Sequence, residues 1–399
     1  MQVADRLLKT PPYPFAELAR LKREAIGRGV DLIDFGIGDP DQPTPDFVVQ
    51  AMQRAVENRS YHQYDETGYG LPALREAIAA WYRKRFDVAL NPDNEILRLI
   101  GSKEGIAHLS LAVLNPGDIA LVPDPGYPVY KVSTLFAGAE SYFMPMTAAR
   151  GWTPDFSAIP SAIAARAKLM WLCYPNMPTG GTVGLDFLRE AVEFAKAHDL
   201  LIAMDMAYEE IYYEDDYLPP SMLQVPGAKD VCIEFHSFSK PFNMTGWRLG
   251  WACGNVDALA ALNKFKSNVD SGAFLAIQEA GIAALQADTT AHFAALRGMY
   301  TRRRDLLVEG LNSAGWQVEK PKAAFYVWAP TPNGMTSADC AAKLLTDCGI
   351  LATPGSAYGA QGEGYVRFAL TISGQNQEAR IVEAIDRIKA CFPVDEVLF

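Results

Sequence analysis

The sequence predicts an α/β protein with a parallel sheet covered on both faces by helices, followed by a smaller α+β part. Two observations carry this prediction. Short apolar runs alternate with longer amphipathic segments through the middle of the chain, a pattern typical of buried parallel strands joined by helices. From about residue 285 the order changes to a long polar helix, two short apolar runs and a final helix.

The predicted strands of the larger part are four apolar runs: IALVPD (119–124), AKLMWLCYP (167–175), LLIAMD (200–205) and VCIEFHS (231–237). The segment LDFLREAVEFAKAHD (185–199) has apolar residues at helical spacing, which predicts a helix between two of these strands. The later part is predicted to contain a helix over 291–315, strands over 323–330 and 364–371, and a helix over 378–391.

Composition narrows the kinds of partner. The chain has 399 residues, of which 49% are hydrophobic, enough for a large core and for two domains. A net charge of -11 disfavours nucleic acid and anionic membranes as partners, so we expect small-molecule partners. The chain start lacks the apolar core of a secretory signal and no apolar run is long enough to span a membrane, so we expect a cytoplasmic protein.

The cysteines and histidines do not predict a metal site. Six cysteines are scattered without a close CxxC pair, which favours buried free thiols. The five histidines show no HExxH motif or paired spacing. We therefore expect no metal centre.

Polar motifs follow the predicted strands, where ligands of parallel sheets collect because loops and helix N-termini meet there. These motifs are GSKEG (101–105), DPGYP (124–128), YPNMPTGG (174–181), DMAYEE (205–210) and SFSK (237–240). We expect the functional site at this edge of the sheet.

Lys240 is the first candidate for chemistry. Most lysines are surface residues, but this one has Ser237, Ser239 and Arg248 close by in the sequence. A neighbouring cation lowers the pKa of an amine toward its nucleophilic form, and such lysines form Schiff bases with aldehydes. Hydroxyls and a guanidinium suit a phosphate. The stretch therefore predicts a phosphate held beside a reactive amine.

Other strand-end residues fit the same kind of ligand, although each also has an ordinary structural interpretation. Ser102 and Lys103 precede a helical run, where a phosphate or a simple helix cap would fit. Asp205 is either a helix N-cap or the partner of a protonated ring nitrogen. Tyr208 could donate to a ring hydroxyl, and Tyr127 could lie on the ring face or only pack at a turn.

An aldehyde, a phosphate, a pyridine nitrogen and a phenolic oxygen together describe pyridoxal 5′-phosphate. The stretch SFSKPFNMTGWRLG (237–250) resembles the SxSKxxxMxGxRxG signature of class I and II aminotransferases of fold type I. The other motifs follow that family's order from PPYPFAEL (11–18) to GYVRFALT (364–371). Stretches such as IDFGIGDPD (33–41) and KSNVDSG (266–272) are similar to the subfamily that acts on LL-diaminopimelate.

The resemblance implies a fold, an assembly and a reaction. The fold would be that of the fold type I transferases, with a mostly parallel seven-stranded sheet in a large domain over 45–285 and a small domain from 1–44 and 286–399. The assembly would be a homodimer with its active sites at the interface. The reaction would be a ping-pong amino transfer.

The resemblance also implies residue roles. Lys240 would bind the aldehyde and act as the base, with Asp205 at the ring nitrogen, Tyr208 at the phenolic oxygen and Tyr127 on the ring face. The phosphate would be held by Ser102, Lys103, Ser237, Ser239 and Arg248, with Tyr64 from the other subunit. The substrate carboxylate would bind Arg367, which alone would be taken for a surface arginine on a strand, helped by the Gly38 backbone and Asn268, with Tyr13 at the entrance.

One position departs from the family pattern. The family has an asparagine directly before the proline of PNNPTG, whereas this chain has Asn176, Met177 and Pro178. Methionine cannot donate the hydrogen bond of that asparagine to the phenolic oxygen. Either Asn176 or Tyr208 alone supports the oxygen, or the Schiff base has a higher pKa and the rate is lower. Asn176 is therefore kept as a candidate cofactor contact.

The substrate expected by resemblance is LL-2,6-diaminopimelate, with 2-oxoglutarate as acceptor, in lysine biosynthesis. The alternatives are an alanine, aspartate, aromatic or N-succinyldiaminopimelate aminotransferase, or a C-S β-lyase with the same cofactor. A cofactor-binding regulator without turnover and a binding module without pyridoxal phosphate are the hypotheses from other classes. A shared fold does not choose among them.

Overall fold

The computed structural model describes residues 2–66, 68–213 and 217–393. Its strands are β1 (Ile33–Asp34), β2 (Ile96–Leu99), β3 (Ile119–Asp124), β4 (Glu140–Pro145), β5 (Ala167–Cys173), β6 (Leu201–Asp205), β7 (Cys232–Ser237), β8 (Gly250–Gly254), β9 (Tyr326–Pro330), β10 (Ile350–Leu351), β11 (Thr353–Pro354) and β12 (Tyr365–Ala369). Its α-helices are α1 (Asp5–Leu8), α2 (Pro14–Gly27), α3 (Asp46–Ala55), α4 (Pro72–Phe86), α5 (Ser102–Val113), α6 (Pro128–Phe136), α7 (Ser161–Ala164), α8 (Leu185–His198), α9 (Val256–Lys266), α10 (Leu275–Gln286), α11 (Thr290–Ser313), α12 (Ser337–Cys348) and α13 (Gln377–Cys391).

A seven-stranded sheet in the order β2-β8-β7-β6-β5-β3-β4 forms the centre of the fold. Only β8 runs against its neighbours β2 and β7; the other pairs are parallel. The four predicted strands are β3, β5, β6 and β7. Every residue of β3 and β7 is buried, as expected for apolar strands covered on both faces. The predicted α/β class with a mainly parallel sheet is confirmed.

Helix α8 illustrates how the local sequence sets an element. Its buried residues Leu188, Ala191, Val192 and Ala195 are spaced so that they share one face of the helix. The helix ends where Asp199 adopts a left-handed conformation with φ 51°. The structure therefore confirms the predicted helix over 185–199 to within one residue.

Two smaller sheets involve the terminal parts of the chain. Strands β11, β12 and β9 form an antiparallel sheet, in which Arg367 pairs with Trp328. Strand β1 pairs with β10, so the N-terminal segment joins the C-terminal third of the chain. The division into domains over 45–285 and over both termini remains a prediction.

The fold brings the predicted motifs to one edge of the central sheet. Asp205 and Ser237 are the last residues of β6 and β7, and α5 begins at Ser102 shortly after β2. All six cysteines are free thiols, and five of them are buried. No helix in the described part of the chain is both long and apolar enough to cross a membrane.

Candidate active site

A cavity of about 310 Å³ lies at the carboxyl ends of the parallel strands. Its wall combines loops of the central sheet with segments from both chain termini. The structure brings these predicted site residues together in the cavity wall: Tyr13, Gly38, Ser102, Lys103, Tyr127, Asp205, Tyr208, Ser237, Ser239, Lys240, Arg248 and Arg367.

The Lys240 side chain lines this cavity, and its amine is fixed by a hydrogen bond. Its Nζ donates to the carbonyl oxygen of Gly38 at 3.0 Å. Burial, together with the positive charges of Arg248 and Arg367, lowers the pKa of Lys240 to about 8, against the opposing effect of Asp39. An amine with this pKa is substantially neutral near pH 8 and can attack an aldehyde.

Asp205 presents one free carboxylate oxygen at the end of β6. Its Oδ2 accepts a hydrogen bond from the Tyr130 hydroxyl at 2.8 Å, and the Tyr130 ring stacks on Trp171. Its buried Oδ1 has no hydrogen-bond partner among the described residues. Burial raises the pKa of Asp205 to about 6, while the Tyr130 bond opposes the rise. A buried carboxylate with an unpaired oxygen needs a cationic donor.

An anion-binding cradle lies at the start of α5. Gly101 has φ +75°, and a Cβ there would lie 2.3 Å from Nη2 of Arg248. Glycine is therefore needed for the guanidinium to lie against the helix N-terminus. The hydroxyls of Ser102, Ser237 and Ser239 line the same cavity. A helix N-terminus, hydroxyl donors and a guanidinium together suit a phosphate.

Arg367 is a buried cation with unused hydrogen-bond donors. It is 1% exposed, and its Nη2 donates to the Gly36 carbonyl at 2.6 Å. Its Nη1 lies 3.7 Å from the Met177 sulfur, and its Nε has no partner in the described part of the chain. The Tyr326 ring lies 4.4 Å from the guanidinium carbon. A substrate carboxylate would satisfy these unused donors in a bidentate pair.

Comparisons with known proteins agree with this geometry. A family model described as aminotransferase class I and II matches residues 30–388. The chain belongs to the class I and II aminotransferase family. It is 56% identical over 389 residues to an LL-diaminopimelate aminotransferase of Moorella thermoacetica, covering 98% of each chain. It is 50% identical over 386 residues to that of Syntrophobacter fumaroxidans, covering 97% of this chain and 98% of the relative.

Solved aminotransferase-fold structures superpose over nearly the whole chain. Substrate-bound BacF from Bacillus subtilis has a TM-score of 0.92 and 39% identity, with 98% of both chains covered. A Thermus thermophilus aspartate aminotransferase mutant has a TM-score of 0.90 and 28% identity, covering 98% of this chain and all of the other. The fold is that of the fold type I transferases.

The cofactor of this aminotransferase is pyridoxal 5′-phosphate, and the residues present fit it. The unpaired Oδ1 of Asp205 suits the protonated ring nitrogen, and the cradle at Gly101 suits the phosphate. The Lys240 amine, with its lowered pKa, suits the aldehyde. The ring nitrogen, the phosphate and the aldehyde of the cofactor therefore each have a chemically matched partner in the cavity.

Two tyrosines are joined in the wall of the aminotransferase cavity. The Tyr208 and Tyr326 hydroxyls lie 2.8 Å apart, and both residues are buried. The Tyr326 ring also contacts Arg367. The predicted ring-oxygen donor, Tyr208, is therefore linked through Tyr326 to Arg367, the arginine predicted to bind the substrate carboxylate.

Three predicted residues are not brought to the cavity of this chain. The Asn176 amide donates to the Cys173 carbonyl at 3.0 Å and its oxygen accepts from the Thr179 hydroxyl at 2.7 Å, so both of its polar ends serve the turn. Asn268 is exposed and donates to the Lys264 carbonyl. Tyr64 is 79% exposed.

Met177 and Lys103 line the cavity with contacts that differ from those expected. The Met177 sulfur contacts Arg367, so this side chain adjoins the carboxylate site. The Lys103 ammonium donates to the Tyr13 hydroxyl at 3.0 Å and lies 4.4 Å from the centre of that ring. Lys103 is therefore held at the entrance beside Tyr13.

Tyr130 and Tyr326 are functional candidates that sequence reasoning missed. Tyr130 lies one helical turn after Tyr127 in DPGYPVY, so its place on α6 could have suggested a shared target. Tyr326 lies in the predicted strand AAFYVWAP, but nothing in that run indicates that it meets a tyrosine of the central sheet. Its pairing depends on how β9 packs beside the cavity.

Alanine at Gly38 is expected to lower kcat/KM by about tenfold or more, since small displacements of positioning groups have large kinetic effects. A Cβ at this position would lie 2.3 Å from the Tyr326 hydroxyl oxygen, so the Tyr326 side chain must shift and its contact with Tyr208 is disturbed. Steady-state kinetics and thermal unfolding check the effect. Gly27→Ala is the matched control, because nothing lies within 4 Å of its Cβ position. Wild-type kinetics in Gly38→Ala would contradict this geometry.

The pH dependence of cofactor capture is expected to reflect the Lys240 amine. With the pKa of Lys240 lowered to about 8, the capture rate of pyridoxal phosphate by cofactor-free enzyme should rise up to that pH and then level. An amine with an ordinary pKa near 10.4 would keep gaining rate at higher pH. Stopped-flow absorbance checks this profile. Pyridoxine 5′-phosphate, which lacks the aldehyde, is the control for titration of other groups.

Proposed function

We propose that this aminotransferase transfers an amino group from LL-2,6-diaminopimelate to 2-oxoglutarate, a reaction of lysine biosynthesis in the cytoplasm. The observation that carries the proposal is identity of 56% and 50% to enzymes of that name, with at least 97% of each chain covered. The chain is 32% identical to a probable N-succinyldiaminopimelate aminotransferase of Thermus thermophilus and 28% identical to the aspartate aminotransferase mutant of the same organism. The diaminopimelate relatives are thus much more similar.

The proposed roles of the cofactor-facing residues follow from their positions. Lys240 binds the cofactor aldehyde, and Asp205 pairs through Oδ1 with the ring nitrogen. Tyr208, supported by Tyr326, donates to the phenolic oxygen. Tyr127 lies in the cavity wall, where its ring can cover the cofactor ring. Ser102, Ser237, Ser239 and Arg248 bind the phosphate.

The chemical step then depends on two residues of the chain. Arg367 binds the substrate carboxylate with its unused donors and so orients the α-carbon. Once the substrate amine has replaced it at the cofactor aldehyde, the freed Lys240 Nζ would accept the proton from that α-carbon, and its lowered pKa increases the neutral fraction that can do so. Pyridoxal phosphate, when bound, supplies the electron-withdrawing ring that makes this proton acidic.

We also propose a homodimer with a large domain over 45–285 and a small domain from both termini. The exposure of Tyr64 and Asn268 supports it, because neither side chain lines the cavity of its own chain and both are accessible to a second copy. Light scattering should give twice the chain mass. Mixing inactive Lys240→Ala with Tyr64→Ala subunits should restore part of the activity through hybrid dimers, and a fully active monomer would contradict the proposal.

A donor panel with 2-oxoglutarate tests the substrate. The panel contains LL- and meso-diaminopimelate, N-succinyl-LL-diaminopimelate, alanine and aspartate, with glutamate formation as the readout. LL-diaminopimelate should exceed alanine and aspartate in kcat/KM by about 100-fold or more, as expected of a site that binds a polar distal group. Good activity on alanine or aspartate without activity on LL-diaminopimelate would overturn the substrate. Pyruvate and ammonia from a cysteine conjugate would indicate a lyase.

A further inference from the structure

A cluster of buried polar side chains lies behind the active site, on the opposite face of the central sheet. Successive side chains of a strand alternate between faces, so Glu234 and His236 of β7 share the face opposite to Ser237. Glu209 and Tyr82 meet them there. These four residues, which we name the rear cluster, are each at most 1% exposed. None of them contributes to the steps proposed above.

The contacts of His236 indicate that both of its ring nitrogens carry hydrogen. Nδ1 lies 3.3 Å from a carboxylate oxygen of Glu209. Nε2 lies 2.6 Å from the Tyr82 oxygen and 3.4 Å from a carboxylate oxygen of Glu234. The only Tyr82 hydroxyl hydrogen is given to Glu234, so the Tyr82 oxygen accepts from Nε2. Acceptors on both sides favour an imidazolium.

The surroundings of His236 stabilise this positive charge. The titratable groups that face it are Tyr82 from α4, Glu209 after β6, Glu234 on β7 and Cys253 on β8. Burial alone would lower the pKa of His236, but hydrogen bonds to Cys253, Glu209 and Glu234 raise it well above its ordinary value. The ring also stacks on Trp251 with 4.9 Å between ring centres.

Glu234, His236 and Cys253 have ligand atoms within 4.8 Å of one another, which is close enough for a metal ion. The Glu234 oxygens, however, already accept from Tyr82, from the Ser221 hydroxyl at 2.8 Å and from the Met222 amide. The Glu234 carboxylate is thus already satisfied by protein donors. We assign it no metal.

The rear cluster is tied directly to the segment that forms the cofactor site. Asp205 and Tyr208 lie on the cavity side of this segment, and Glu209 follows on the other side. The Met206 amide donates to the Phe235 carbonyl at 2.8 Å, so the segment continues the pairing of β6 with β7 as far as Met206. The Glu209 ion pair with His236 is therefore an anchor immediately beside Tyr208.

We propose that His236 is a positioning residue: a buried imidazolium that holds Glu209, keeps Asp205 and Tyr208 facing the cofactor, and favours the ionised form of Asp205. The inference rests on the cofactor site of the proposed function. Burial and the negative charge of Glu209 raise the pKa of Asp205, whereas the positive charge of His236 lowers it and so offsets part of the Glu209 effect. Neutralising His236 should therefore weaken the hold on the protonated ring nitrogen.

The test compares His236→Gln with wild type in three measurements that need no substrate. These are the pH dependence of the visible absorbance of bound cofactor, the dissociation constant of pyridoxal phosphate, and thermal unfolding of the cofactor-free chain. Loss of the positive charge should raise the pKa at which the bound cofactor changes its visible absorbance, by about 0.5 unit or more. Cofactor affinity should fall about tenfold, as for a lost hydrogen bond to a charged group.

Ser221→Ala is the matched control. It removes a buried donor to Glu234 without touching the Glu209 ion pair, so it should lower the unfolding temperature and leave the absorbance pKa unchanged. Glu209→Gln keeps the shape of the anchor and removes its negative charge, which itself raises the pKa of Asp205. A weaker cofactor affinity in this variant therefore reports the loss of the anchor, and it is expected even if His236→Gln does not fold. An unchanged cofactor affinity in Glu209→Gln would overturn the proposal.

The charge of His236 can be measured directly in the wild-type enzyme. Only five histidines need assignment, and comparison with His236→Gln identifies the signal in nitrogen-15 spectra of histidine-labelled protein. We expect both ring nitrogens to be protonated at pH 8. A neutral ring at that pH, or an unchanged absorbance pKa in a folded His236→Gln enzyme, would overturn the proposal. Failure of the substrate proposal would appear instead as inactive wild type toward LL-diaminopimelate.

Discussion

Lys240→Ala is expected to reduce kcat by at least about 10⁴-fold, the upper range for loss of a general base. The variant loses both the amine that binds the cofactor aldehyde and the group that takes the α-proton. Among the described residues, Lys103 is the only other lysine that lines the cavity. Its ammonium donates a hydrogen bond to Tyr13. Kinetics with saturating pyridoxal phosphate measure the loss of turnover. Borohydride reduction followed by peptide mass analysis measures the loss of covalent cofactor attachment.

Lys196→Ala provides the matched control, because Lys196 is a partly exposed lysine paired with Asp230 away from the cavity. This variant should keep wild-type activity and carry the reduced cofactor on Lys240. Cofactor attached to another lysine in wild type, or near-normal turnover by Lys240→Ala, would contradict the assignment of the reactive amine.

Asp205→Asn should lower kcat by about 100-fold or more, comparable to removal of a major electrostatic contact in other active sites. An amide of the same shape can still accept the Tyr130 hydrogen bond, but it cannot balance the charge of a protonated ring nitrogen. The ring would then withdraw electrons less strongly from the reacting carbon. Single-turnover kinetics measure the rate, and the visible spectrum reports the protonation of the bound cofactor.

Tyr130→Phe gives a graded comparison at the same carboxylate. It removes only the 2.8 Å hydrogen bond to Oδ2, so we expect a loss of about tenfold, the range of one hydrogen bond to a charged group. An Asp205→Asn enzyme that is no slower than Tyr130→Phe would show that the carboxylate charge is not used at the ring nitrogen.

The central strands were predictable because burial on both faces requires near-continuous apolar runs. Strands β3, β5, β6 and β7 all have this pattern. Strand β4 was not identified because it lies at the sheet edge and most of its residues are at least partly exposed. The reversed direction of β8 was also not predicted, since an apolar run does not encode the direction in which it pairs.

The placement of residues that follow parallel strands could be predicted because the fold class itself gathers them. Asp205 and Lys240 follow this rule, and both line the cavity. Asn176 has suitable chemistry, but its amide is used by the turn, and only the hydrogen-bond geometry reveals that. Tyr326 was missed for the opposite reason: its contact with Tyr208 joins residues 118 positions apart in sequence.

The rear cluster shows a further limit of prediction from sequence. His236 directly precedes Ser237, the first residue of the signature stretch. Because side chains alternate along β7, His236 lies on the opposite face of the sheet from Ser237. Its partners Tyr82 and Glu209 come from distant parts of the chain. A histidine in a buried strand suggests no function until these acceptors are seen on both sides of its ring.

The most direct test of the account follows the two half-reactions by visible absorbance. Enzyme loaded with pyridoxal phosphate is mixed with LL-diaminopimelate, and 2-oxoglutarate is added after the spectrum has settled. The account predicts complete conversion to the pyridoxamine spectrum in the first step and full reversal with release of glutamate in the second. An unchanged spectrum with LL-diaminopimelate, in enzyme whose cofactor is shown to be bound at Lys240, would contradict it.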